Sequence, residues 1–129
     1  MRDRPLVMVV EDDTEMNQLQ RELLEVSGLD AVAAYTGAEA LKLVEQCSAD
    51  AILLDIMLPE LDGFETCRRL RGRGGRRIPI VIVTALDTEH CRRLGREAGA
   101  DAYFCKPFDP SGVVAKLREL IEAARSESD

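Results

Sequence analysis

Six polar residues of this chain follow short apolar runs at spacings that suit one kind of chemistry. Glu11, Asp12 and Asp13 stand side by side after LVMVV (residues 6 to 10), and Asp55 closes AILLD (51 to 55). Thr84 lies at the end of IPIVIVTA (78 to 85), and Lys106 follows AYFC (102 to 105). Adjacent carboxylates repel, and each loses hydration when it lines a cleft. A cation among them removes both penalties, and oxygen-only donors suit a hard divalent ion such as Mg2+, with Mn2+ as the alternative. Asp55 is the best placed nucleophile, because it ends a buried run and Pro59 turns the chain soon afterwards. A carboxylate there can accept a phosphoryl group. Phosphoryl transfer needs mainly positioning and neutralisation of the transferring oxygens. The metal, the Lys106 ammonium and the Thr84 hydroxyl supply that, and small Ala85 leaves room.

The elements that must position these groups are legible in the hydropathy. The four runs and AVAAY (31 to 35) alternate with helical patterns along the chain. LVMVV, AILLD and IPIVIVTA are continuously apolar, as in a parallel sheet covered on both faces. Thr36 with Glu39, Asp62 with Glu65, and Asp109 before Pro110 are helix starts. Met16, Leu19, Leu23 and Val26 form a stripe ending near Gly28, and Val113, Leu117, Leu120 and Ala124 form another. Both stripes are predicted to face the sheet. Strict alternation implies an α/β fold with a doubly wound parallel sheet of five strands and five helices, whose crevice lies at the carboxyl ends of the strands. Glu11, Asp12, Asp55, Thr84 and Lys106 all map to that edge. Asp13 reads as a solvated start to the first helix, where negative charge is favourable.

The composition narrows the function classes. A chain of 129 residues, 46% hydrophobic and 32% charged, suits one domain with a single core. The net charge of -7 argues against a nucleic-acid or anionic-membrane surface over the whole molecule. With no stretch of spanning length and no leader pattern, a cytoplasmic location is expected. Cys47, Cys67, Cys91 and Cys105 form no C-x-x-C pair and read as reduced packing thiols, and the single His90 reads as a solvated surface residue. RRLRGRGGRRIP, with Arg68, Arg69, Arg71, Arg73, Arg76 and Arg77, reads as a solvated flexible loop, since it lacks the aromatics that stack on bases. Asp62 is a helix cap, because ELDG lacks the alternating acids of a calcium loop.

VVEDD, LLDIMLPELDGFE, IVIVTA and GADAYFCKPF, in that order and spacing, resemble the receiver domain of two-component response regulators over essentially the whole chain. The resemblance implies a flavodoxin-like sheet of strand order 2-1-3-4-5, as a single domain over residues 1–129 with its core at about 5–124 and no output domain. It implies that Asp55 is the phosphoacceptor, served by a phosphohistidine on a sensor histidine kinase or a histidine phosphotransfer protein. It further implies that Asp12, Asp55 and the backbone carbonyl of Met57 ligate Mg2+ directly, with Glu11 acting through water, and that Lys106-Pro107 is cis. Thr84 and Tyr103 are implied to be a switch pair that passes the signal through strand five and helices four and five to a downstream domain or protein. GADAYF has Asp101 but Ala102, where regulators with winged-helix output often carry two acids, so their ion-paired dimer face is not expected.

The function expected is therefore a phosphorylation-dependent signalling receiver, not an enzyme beyond phosphorylating and slowly dephosphorylating itself, with no direct nucleic-acid or membrane contact. Met57 and Leu86, two residues after Asp55 and Thr84, are expected to border the path of hydrolytic water. A metal-dependent phosphohydrolase using Asp55 for turnover is the first rival, and it lacks a general acid and a lid. A receiver-like binding module that takes no phosphoryl group is the second, and intact Asp55, Thr84 and Lys106 count against it.

Overall fold

In the computed structural model, which describes residues 4–128, the apolar runs form one parallel sheet. Its strands are β1 (Leu6–Val10), β2 (Asp30–Ala34), β3 (Ala51–Leu54), β4 (Ile80–Thr84) and β5 (Ala102–Cys105), in the order β2-β1-β3-β4-β5. Helices α1 (Thr14–Val26), α2 (Gly37–Gln46), α3 (Gly63–Gly72), α4 (Glu89–Ala98) and α5 (Pro110–Ser128) follow them in turn. Alternate residues of the central strands feed two apolar clusters. Met8, Val10, Ile52, Leu54 and Ile80 pack under Val44, Leu70 and Ala98 of α2, α3 and α4. Val7, Val9, Leu53, Val81 and Val83 pack against Leu24 of α1 and Val113, Leu117 and Ile121 of α5. Covered on both faces, β1, β3 and β4 have no polar side to present, which is why their sequences do not alternate.

Three helix starts are held by the caps that the sequence suggests, and that of α1 by Asp13. Asp13 accepts from Met16 N at 3.0 Å, Thr36 from Glu39 N at 3.0 Å, and Asp62 from Glu65 N at 2.9 Å. Asp109 accepts from Ser111 N at 3.2 Å ahead of α5. Each such cap satisfies an amide without a partner in the helix and contributes about 1 kcal/mol. Asp13 is thus more than a solvated start, since it caps α1.

Three sequence expectations need correction. The stripe of α1 faces away from the sheet: Leu19 is 50% and Val26 83% exposed, while Asn17, Gln20 and Leu24 are buried. Asn17 explains the rotation. Its amide donates to the carbonyls of Val9 (3.2 Å), Glu11 (3.1 Å) and Ala34 (3.2 Å), which lie where β1 and β2 end. Apolar periodicity does not register a polar residue buried to satisfy strand-end carbonyls. Strand limits also move by one or two residues: β2 starts at Asp30 and leaves Tyr35 out, β4 starts at Ile80, and Asp55 lies just beyond β3.

The arginine-rich stretch, finally, is tied down rather than loose. Arg71 donates to Gly99 O (2.8 Å), Ile78 O (2.6 Å) and Asp101 (2.5 Å), and Arg76 donates to Ala49 O (2.8 Å). Asp101 also accepts from Arg77 (2.6 Å) and from Ile80 N (2.9 Å), so it closes the start of β4. Among the described residues no helix is long and apolar enough to cross a membrane. His90 is exposed in the first turn of α4, and among the described residues no cysteine forms a disulfide.

Candidate functional site

β1 and β3 are neighbours, with Val10 opposite Leu54, so the residues that follow them emerge side by side. Asp55 N donates to Val10 O at 3.0 Å, and Glu11 N donates to Ala34 O at 3.1 Å. Both carboxylates end up within the sheet edge, Glu11 at 3% and Asp55 at 6% exposure. Lys106 leaves β5, its amide bound to Thr84 O at 2.7 Å. Its ammonium lies 2.8 Å from Glu11 Oε1 and 2.8 Å from Asp55 Oδ2. The Lys106-Pro107 bond is cis, in agreement with the resemblance.

The remaining Asp55 oxygen, Oδ1, accepts from Met57 N at 3.0 Å. The turn that allows this is packed backbone to backbone: Ile56 O accepts from Leu58 N and Gly63 N, both at 2.9 Å. At Gly63 a Cβ would sit 2.4 Å from Ile56 Cα and 2.6 Å from Asp55 O, so only glycine fits. No hydrogen bond among the described residues occupies the Met57 carbonyl. Met57 itself is 56% exposed.

The electrostatics follow from two carboxylates and one ammonium in a mostly closed site. Burial, helped by the neighbouring Asp55 carboxylate, pushes Glu11 above the usual carboxylate range, against the pull of Lys106 and the Asp13 amide. Burial alone pulls Lys106 down, but its hydrogen bonds to Asp55 and Glu11 outweigh it and leave the ammonium held above its ordinary value. Among the described residues no three His, Cys, Asp or Glu side chains are gathered as a metal cage. Asp12 is exposed, and Lys106 holds the other two carboxylates. The donor types nevertheless fit a hard cation. They are all oxygens, and the Glu11 carboxyl is pushed up chiefly by burial, a penalty on its charge that a nearby positive ion would offset.

Thr84 is fully buried at the end of β4. Its hydroxyl accepts from Leu86 N at 3.4 Å, and Leu86 O accepts from the Tyr103 phenol at 2.7 Å. The Tyr103 ring lies along α4 at Gly95, where a Cβ would approach Tyr103 Cδ2 and Ile82 Cδ1 to 3.1 Å. The Arg92 guanidinium covers the ring at 5.1 Å from its centroid. Glu11, Asp55 and Lys106 are therefore joined directly, Thr84 and Tyr103 are joined through Leu86, and Asp12 stands exposed at the rim.

Sequence reasoning missed two parts of this arrangement. Asn17 supports the Glu11 carbonyl, and its only signal was the spacing of Asn17, Gln20 and Leu24 along one helix face. The outward stripe of α1 was misread as core. Met16, Leu19, Leu23, Pro107, Phe108 and Pro110 instead line an open apolar groove of about 410 Å³ beside Lys106.

Comparison with known proteins gives a consistent picture. The family described as the response regulator receiver domain matches residues 7–118. The chain is 38% identical over 123 residues to response regulator MprA of Mycobacterium avium (strain 104), covering 95% of this chain and 54% of that one. It thus spans about half the length of the curated relatives it matches. Among solved structures, the receiver domain of the Francisella response regulator 1452 superposes with a TM-score of 0.86 at 32% identity, covering 93% of this chain and 98% of that one. The BeF3-activated N-terminal receiver domain of Klebsiella pneumoniae RstA gives a TM-score of 0.83 at 36% identity, covering 90% and 97%.

Proposed function

We propose that this chain, which belongs to the response regulator receiver domain family, accepts a phosphoryl group onto Asp55 from a histidine kinase or a histidine phosphotransfer protein. The observation that carries the reading is the Lys106 ammonium placed 2.8 Å from both Glu11 and Asp55. Asp55 presents a carboxylate oxygen to the donor, Lys106 neutralises one oxygen of the incoming group, and the Met57 amide holds the second Asp55 oxygen in place. Glu11, Asp12, Asp55 and the Met57 carbonyl would hold Mg2+, or Mn2+ in its stead. When bound, the ion supplies positive charge to the transferring phosphoryl oxygens.

The Thr84 hydroxyl takes another of those oxygens, which frees the Leu86 amide. Tyr103 follows through the Leu86 carbonyl, and the β4 to α5 surface changes for a downstream domain or partner. The apolar groove of α1 and the segment after β5 is what a phosphodonor protein covers. It lies beside Lys106 and exposes Leu19 to 50%. Residues of about 5–124 form the receiver core in this reading, and the protein works in the cytoplasm without touching nucleic acid or membrane.

Incubation with acetyl phosphate and Mg2+ separates this function from its rivals. Stoichiometric labelling supports a receiver, continuous phosphate release marks a hydrolase, and absence of labelling marks a binding module.

A further inference from the structure

The edge of the sheet opposite the site carries an unusual charge arrangement. Two carboxylates there are each shared by two guanidiniums. Asp101 pairs with Arg71 (2.5 Å) and Arg77 (2.6 Å). Asp50 pairs with Arg76 and Arg125, both at 3.8 Å. Every such trio keeps one positive charge in excess. Arg73 adds a third, since among the described residues it bonds only to the carbonyls of Gly74 (3.0 Å) and Arg76 (3.4 Å). This stands out in a chain whose net charge is -7.

Four of these arginines, Arg71, Arg73, Arg76 and Arg77, line one cavity of about 90 Å³ together with Leu70 and Ile78. Burial lowers the affinity of Arg71 for its proton, Asp101 opposes that, and the charge of Arg77 adds to the penalty, so the cations crowd one another. An anion is the missing counterpart. Guanidiniums present forked donors that match phosphate oxygens. The cavity is roughly three times the 30 Å³ that one water occupies in the liquid, room for a phosphoryl group or two rather than for a nucleoside. No aromatic residue lines it, so it offers no platform for stacking a base.

We propose that this arginine cavity between α3 and β4 binds a small, multiply charged phosphate compound through its phosphoryl oxygens. The site is separate from Asp55 and independent of the function proposed above.

The test is titration of the whole chain with inorganic phosphate and inorganic pyrophosphate, without divalent metal and at constant ionic strength set by chloride. Backbone amide NMR signals are followed. Pyrophosphate should shift the signals of residues 70–80 saturably and bind more tightly than phosphate. Arg73→Ala, which removes contacts only to backbone carbonyls and should leave the fold intact, should weaken binding at least tenfold, and Arg93→Ala should not. Shifts that chloride alone reproduces, or equal binding by the Arg73→Ala variant, would overturn the proposal. So would tighter binding by a short single-stranded oligonucleotide at the same residues, which would make the site a nucleic-acid backbone contact.

Discussion

The Tyr103 phenol donates to the Leu86 carbonyl at 2.7 Å, which ties the aromatic ring of β5 to the backbone that follows β4. Leu86 in turn donates its amide to Thr84 Oγ1 at 3.4 Å, a long contact that a phosphoryl oxygen can displace. Leu86 is thus the relay between hydroxyl and ring. Beryllofluoride, a stand-in for the phosphoryl group, should shift NMR signals of residues 84–110 more than those of α2. Tyr103→Phe should lower stability by about 1 kcal/mol and shrink the response beyond Leu86. A response confined to residues 36–50 would contradict the relay.

The loop after Asp55 depends on a missing side chain. A Cβ at Gly63 would meet Ile56 Cα at 2.4 Å and Asp55 O at 2.6 Å, and backbone cannot yield as a flexible side chain can. Gly63→Ala should cost about 2 kcal/mol or more and slow phosphorylation by displacing Asp55. At Gly72 nothing lies within 4 Å, so Gly72→Ala should be neutral or stabilising by up to about 1 kcal/mol. Urea denaturation of both variants checks the contrast. Equal effects would show that the close approach at Gly63 is relaxed at little cost.

The buried thiol of α3 offers a pH test. Burial pushes Cys67 up to about 11 from an ordinary 9.0, with Arg71 opposing the shift, and its thiol donates to Ala98 O at 3.4 Å. Between these values the folded chain binds the proton that the unfolded chain has released. Stability from this group is therefore complete below pH 9 and falls as the pH rises toward 11. Alkylation at neutral pH should modify Cys67 only after unfolding, as read by peptide mass. Modification of Cys67 in the native state at the rate of the partly exposed Cys91 would count against its burial.

What could be read in advance divides along physical lines. Strands β1, β3 and β4 were legible because burial on both faces leaves continuous apolar runs, Asp55 because it follows such a run directly, and Lys106 because it follows the short, half-buried run of β5. The orientation of α1 was not, since Asn17 and Gln20 are polar residues turned inward and Leu19 an apolar one turned out. Neither periodicity nor composition records which carbonyls a strand end leaves to be satisfied. The role of Leu86 was invisible for a different reason: it acts through its backbone amide and carbonyl, which every residue type possesses. The arginine loop was misread because its partners, Gly99, Asp101 and Ala49, are distant in sequence.

The phosphorylated state should be comparatively long-lived. Hydrolysis needs water aligned behind the Asp55 phosphoryl group, and the positions two after Asp55 and two after Thr84, expected to border that path, hold Met57, 56% exposed, and Leu86. Neither side chain can orient a water. Phosphoryl decay in the presence of Mg2+ should be faster in the double variant Met57→Asn and Leu86→Glu than in the wild type. Equal lifetimes would mean that water access at these positions does not set the rate.

The central claim is that Asp55, with a divalent ion, is where the phosphoryl group goes. Intact mass spectrometry after incubation with acetyl phosphate and Mg2+ should show one added phosphoryl group on the wild type and none on Asp55→Asn. Asp12→Ala should label more slowly, and removal of the divalent ion should suppress labelling. Equal labelling of the wild type and Asp55→Asn would contradict the site.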